Sequence, residues 1–122
     1  HLVLAVPATP RTRRLLGRDA FSRMKPGVHL VNVARGSLVD QDALREALDA
    51  GIVAMASLDV CEPEPLPAGH WLYAHPRVRL TPHCSWSAQG MLATVTRLFV
   101  ENLRRYVRGE PLDGVVDIDE GY

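Results

Sequence analysis

Residues 28–60 read VHLVNVARGSLVDQDALREALDAGIVAMASLDV. The stretch opens on one apolar run, Val28–Ala34, and closes on another, Val53–Val60. Both are short and lack the strict apolar–polar alternation of a half-solvated strand. Each therefore predicts a strand covered on both faces. Between them Asp40 stands before a helix-forming segment. There Ala43, Leu44, Ala47 and Leu48 fall on one helical face, and Gly51 follows as a stop. Two buried strands joined through a helix form a parallel pair, because a tight turn cannot join parallel strands.

The same rhythm extends outward. Leu2–Val6 is a short apolar run closed by Pro7, and reads as a strand. Pro7–Arg14 is a loop in which Thr12 can cap a turn. Arg18–Met24 predicts a short helix ended by Pro26-Gly27. Glu62–Pro67 carries three prolines and excludes regular structure. Val78–Leu80 predicts a fourth strand, ended by Thr81-Pro82. Ser85–Arg108 predicts the longest helix, with Leu92, Val95, Leu98, Phe99, Leu103 and Tyr106 in one stripe. An acidic tail, Asp113–Tyr122, is expected to be loosely attached. The fold class is α/β, an open parallel sheet with flanking helices and a long C-terminal helix. In such sheets ligands bind at the C-terminal ends of the strands.

Composition narrows the function classes. The chain has 122 residues, 47% of them hydrophobic, which excludes a disordered polymer. Fourteen basic and fourteen acidic residues balance, so no global attraction to nucleic acid or lipid is implied. Arg11, Arg13, Arg14, Arg18, Arg23 and Lys25 cluster in sequence, but read as a solvated loop and helix face. No apolar run is long enough to span a membrane. Cys61 and Cys84 are too few for a disulfide framework, and a reducing cytoplasm is the expected setting. Cys61, His83 and Cys84 fit no common zinc spacing, so no metal is expected.

The predicted strand ends carry unusual chemistry. Arg35 follows the second strand, Asp59 ends the third, Glu64 lies among the prolines after it, and His83 follows the fourth. An Arg grips a carboxylate at two points. A His exchanges a proton near neutral pH, and a carboxylate holds its other nitrogen. Together they can interconvert a 2-oxo and a 2-hydroxy acid. Taken singly, each has a plainer reading: Arg35 and Glu64 as solvated charges, Asp59 as a turn cap, His83 as a helix cap.

These stretches resemble the D-isomer-specific 2-hydroxyacid dehydrogenases, the family of phosphoglycerate and glyoxylate/hydroxypyruvate reductases. Pro7-Ala-Thr-Pro-Arg-Thr12 with Leu15-Leu16 is similar to the family's Pro-x-x-x-x-Thr loop. Asn32-Val-Ala-Arg-Gly36 with Val39-Asp40, Leu58-Asp-Val-Cys-Glu-Pro-Glu-Pro65 and Thr81-Pro-His83 resemble three further signatures, in the family's order. The resemblance covers residues 2–118, and implies the second half of a Rossmann-like sheet.

The resemblance also implies roles. Arg35, Glu64 and His83 are the catalytic set, with Arg35 on the substrate carboxylate. His83 exchanges the proton and Glu64 pairs with it. Glu64 separates the chain from the related formate dehydrogenases, which place Gln there. The cofactor is NAD or NADP, lined by Val6, Pro7, Thr12, Val33, Ala34, Arg35, Asp59, His83 and Ser85. Asp59 is implied to hold the nicotinamide carboxamide. The substrate is a small 2-oxo or 2-hydroxy acid beside Arg35 and Trp86. Trp86 either shapes an apolar pocket for it or anchors the start of the last helix. Cys61 stands where the family often has an aromatic residue.

The family's Gly-x-Gly-x-x-Gly turn, which receives the pyrophosphate, has no match among the scattered glycines. The expectation is therefore a piece of a dehydrogenase, inactive or nearly so by itself. Residues 1–112 would belong to the cofactor domain and residues 113–122 to the tail. A strand edge left without its neighbour predicts a homo-oligomer. The alternative reading is a cofactor-binding or sensor module of the same fold without turnover.

Overall fold

The computed structural model describes residues 1–119 and 121–122. It divides into two compact units, His1–Cys84 and Ser85–Tyr122. The first unit is a four-stranded parallel sheet. Its strands β1 (Leu2–Leu4), β2 (Val28–Asn32), β3 (Val53–Leu58) and β4 (Val78–Leu80) lie side by side in chain order. Leu4 pairs with Asn32, Asn32 with Leu58, and Leu58 with Leu80, so one cross-strand row runs the width of the sheet. The parallel α/β architecture expected from the sequence is present.

The central helix forms as its residues dictate. Helix α2 (Gln41–Asp49) begins at Asp40, whose carboxylate accepts the amides of Asp42 at 3.1 Å and Ala43 at 3.0 Å. Those donors would otherwise lack partners at a helix start. The helix buries Ala43, Leu44, Ala47 and Leu48 and packs on β3. With Leu30, Val53, Ala56 and Leu72 these residues form the core. The shorter α1 (Arg18–Ser22) adds Phe21 and lies against α2. Arg18 bridges the two helices with bonds of 2.8 and 2.6 Å to Glu46. That hydrogen bonding holds the Glu46 carboxyl below its ordinary value.

Several element bounds differ from expectation. The first strand ends at Leu4 rather than Val6, and Val3 is 57% exposed, because β1 lies at the sheet edge. The second strand stops at Asn32 rather than Ala34. There the Asn32 side chain accepts the Ala34 amide at 3.1 Å and donates to the Arg35 carbonyl at 2.9 Å, which turns the chain. The third ends at Leu58 rather than Val60, and α1 ends two residues before Met24. A 3-10 turn at Gly36–Leu38 and a one-turn helix, α3 (Trp71–Ala74), are too short to show a period in sequence. Helix α3 nonetheless buries Leu72.

The second unit is the long helix and the tail. Helix α4 (Met91–Arg108) begins at Met91 rather than Ser85, since Gly90 takes a left-handed φ of 80°. It ends at Gly109, also left-handed, with Arg105 and Arg108 in its last turn. The expected apolar stripe is present, and Leu92 is 81% exposed. The tail is less loose at its start than expected. Asn102 donates to the Asp113 carbonyl and accepts its amide, each at 2.9 Å, and Arg105 reaches the Asp113 carboxylate at 3.1 Å.

Leu44 sits fully buried under the sheet. Leu44→Ala is expected to cost about 2–5 kcal/mol through lost burial and the cavity left behind. Urea unfolding followed by circular dichroism measures it.

Candidate active site

Four loops leave the C-terminal ends of the parallel strands, and each is closed by specific bonds. After β1, the Thr12 hydroxyl donates to the Pro7 carbonyl at 2.8 Å and accepts the Thr9 amide at 2.7 Å. Thr12 thus locks the loop that begins at Pro7. After β2, Asn32 shapes the turn through Val33, Ala34 and Arg35. The exposed Arg35 guanidinium donates to the Ala34 carbonyl at 2.7 Å.

Gly36 then meets the loop that follows β3. A Cβ at Gly36 would stand 2.1 Å from the Cys61 carbonyl carbon and oxygen. Only a residue without a side chain allows this approach. The contact seats the Arg35 turn against the segment that carries Glu64. Gln41, at the start of α2, also accepts the Glu62 amide at 3.3 Å. On the outside, Arg13 pairs with Glu62 at 3.1 Å, Arg14 with Asp40 at 3.6 Å and Arg23 with Asp19 at 2.8 Å. These pairs partly neutralise the basic cluster seen in the sequence.

Glu64 and His83 meet directly. His83 Nδ1 lies 3.0 Å from Glu64 Oε1, with the two side chains 41% and 38% exposed. With the carboxylate ionised, Nδ1 donates. His83 takes a left-handed φ of 51°, an uncommon conformation for a residue with a Cβ, costing about 1–2 kcal/mol. Asp59 is 5% exposed beneath this loop. Its Oδ1 accepts the Thr81 hydroxyl and, at 3.0 Å, the Cys84 amide. Beside Glu64 opens an apolar cleft of about 630 Å³, lined by Leu58, Val60, Leu66, Tyr73 and Leu80. Burial, with the Glu64 charge, pushes the neighbouring Cys61 thiol up from its ordinary value.

The strand ends also suit a nicotinamide ring and its amide. Val6 and Val33, each 40% exposed, present apolar side chains just past β1 and β2. Asp59 supplies a carboxylate acceptor for an amide. Of the residues singled out in sequence, Val6, Pro7, Thr12, Val33, Ala34, Arg35, Asp59, Glu64 and His83 all lie in the first unit, at or beyond strand ends. Ser85 and Trp86 lie in the second. Thr81 and the Asn32 side chain are two further polar groups at the site that the sequence motifs do not single out. Their polar types at strand ends were the available signal.

The sequence profile of the NAD-binding domain of D-isomer specific 2-hydroxyacid dehydrogenases matches residues 1–85. The chain belongs to this family. It is 42% identical over 121 residues to glyoxylate/hydroxypyruvate reductase A of Photorhabdus laumondii, covering 99% of the chain and 38% of that protein. It is 38% identical over 111 residues to the human glyoxylate reductase/hydroxypyruvate reductase, covering 91% of the chain and 34% of that protein. Among solved structures, a Xanthobacter autotrophicus D-isomer specific 2-hydroxyacid dehydrogenase in complex with NADPH and MES matches with a TM-score of 0.89 at 42% identity. That match covers 98% of the chain and 49% of the other. The NADPH-dependent glyoxylate/hydroxypyruvate reductase of Sinorhizobium meliloti, in complex with NADP and sulfate, matches with the same TM-score of 0.89 at 31% identity. It covers 99% of the chain and 39% of the other. The chain therefore spans well under half the length of these curated relatives.

Gly36→Ala tests the contact between the Arg35 turn and the loop that carries Glu64. It is expected to cost about 3 kcal/mol, the upper end for overpacking, because backbone rather than a flexible side chain must yield. Denaturant unfolding of the variant beside the parent chain measures it.

Proposed function

We propose that the chain is the acid–base half of a nicotinamide-dependent 2-hydroxyacid dehydrogenase acting on a small 2-oxo or 2-hydroxy acid. Residues 1–112 belong to its cofactor domain and residues 113–122 form a C-terminal tail. The observation that carries this reading is the 3.0 Å pairing of His83 Nδ1 with Glu64 Oε1. A carboxylate on Nδ1 orients the ring and leaves Nε2 for the proton exchange.

When bound, NAD(P) supplies or accepts the hydride. The chain's own residues do the rest. Arg35 holds the substrate carboxylate through its forked donors, which turns the C2 oxygen toward the site. His83 gives a proton to that oxygen during reduction and takes it from the hydroxyl during oxidation. Glu64 keeps the imidazole oriented through both directions. Asp59 receives the carboxamide, and Val6 and Val33 flank the ring. The phosphates need a glycine-rich turn that the sequence does not contain, so the chain alone is expected to turn over slowly or not at all.

The full-length product of the gene, assayed with NADH and NADPH against glyoxylate, hydroxypyruvate and pyruvate, is expected to reduce at least one of them. His83→Ala is expected to lower kcat about 10²–10⁴-fold, the usual contribution of a positioned acid–base group. Unchanged turnover in that variant would remove His83 from the reaction. Absence of turnover with every 2-oxo acid would favour a binding module instead.

Strand β1 lies at a sheet edge with Val3 exposed, and such edges pair with further strands. The chain is expected to form a homo-oligomer. Light scattering behind size-exclusion chromatography measures this, and a monomeric mass at high micromolar concentration contradicts it.

A further inference from the structure

His83 depends on a loop that the sheet alone does not hold. The last ladder bond on this side runs from the Thr81 amide to the Leu58 carbonyl at 3.0 Å. Beyond it come Pro82, which has no amide proton to offer, and His83, whose left-handed φ of 51° is not a resting conformation for such a residue. The His83 amide donates back to the Thr81 carbonyl, at 3.0 Å.

One buried oxygen brackets this segment. Asp59 Oδ1 accepts the Thr81 hydroxyl on one side of Pro82-His83 and the Cys84 amide, at 3.0 Å, on the other. Asp59 is itself anchored, its amide donating to the Asn32 carbonyl at 2.9 Å. The carboxylate thus ties the two ends of the four-residue span Thr81–Cys84 to the end of β3. Glu64 leaves the same end of β3, five residues further along the chain. The distance between His83 and Glu64 therefore depends on a frame in which the Thr81 hydroxyl is one joint.

We propose that Thr81 is a positioning residue: through Asp59, its hydroxyl clamps the His83 loop in the geometry that brings the imidazole onto Glu64. Its relevance to turnover rests on the dehydrogenase reading above, whereas the clamp itself does not. Thr81→Val keeps the branched shape and removes the hydroxyl. Thr81→Ser keeps the hydroxyl and removes a methyl group.

The clamp is read first in the chain of 122 residues by nuclear magnetic resonance. The Cys84 amide of the unmodified chain is expected to be protected from hydrogen exchange, and fast exchange there overturns the clamp without any variant. The His83 Nδ1 proton, sheltered by Glu64, is expected to give a resolved signal that Thr81→Val removes and Thr81→Ser retains. Persistence of that signal in a folded Thr81→Val chain also overturns the proposal.

Turnover is read in the full-length product. Thr81→Val is expected to lower kcat about tenfold while KM for the 2-oxo acid changes less than about twofold, and Thr81→Ser is expected to restore kcat, since orientation rather than substrate grip is lost. Equal kcat in Thr81→Val and the unmodified enzyme overturns the positioning role. If no 2-oxo acid is turned over but the resonance pattern holds, the dehydrogenase reading fails and the clamp stands.

Discussion

Parallel pairing is the constraint on which the remainder of this structure depends. A parallel strand cannot return through a tight turn, so each crossing from one strand to the next must use a longer connection. Here β1, β2, β3 and β4 follow one another across the sheet in chain order. Every strand therefore ends on the same edge, and the residues after each end become neighbours although they are far apart in sequence. Asp59, Glu64 and His83 owe their proximity to this arrangement, and Arg35 follows the end of β2 on the same edge. The core under α2 stabilises the sheet, and the sheet sets the edge.

Proximity at an edge is coarse, and a second set of interactions refines it. Three of the loops are closed by a small polar group whose partners are mostly backbone. Thr12 closes the first, Asn32 the second, and Asp59 holds the last. Gly36 does the reverse, contributing by what it lacks, since Cys61 backbone fills the space of its missing side chain. Buried polar groups of this kind are costly unless satisfied, so a loop satisfied in one geometry resists others. The exposed ion pairs around Arg13, Arg14 and Arg18 contribute less, because water and salt screen them.

Much of this was legible from residue types alone. The apolar runs at 28–34 and 53–60 announced strands because a parallel strand is buried on both faces and admits few polar residues. The 3.6-residue spacing of Ala43, Leu44, Ala47 and Leu48 announced α2 for the same reason of burial. Element ends were harder. Asn32 belongs by composition to its strand, yet its side chain bends the backbone out of it. Gly90 lies in a segment that reads as helix, yet its left-handed φ delays α4. Helix α3 is a single turn, and one turn has no period.

The chain's own sequence determined the strand–helix alternation, the family resemblance and the identity of the candidate catalytic residues, because burial periodicity and motif order are written locally. The tertiary structure alone decided that Glu64 faces His83, that Gly36 rests on Cys61, and that Thr81 and Cys84 share one oxygen of Asp59. Those relations join residues 19 to 25 positions apart, and each depends on distances of about a hydrogen bond or less. Sequence spacing carries no such distance. The three-dimensional closure of the sheet edge supplies it.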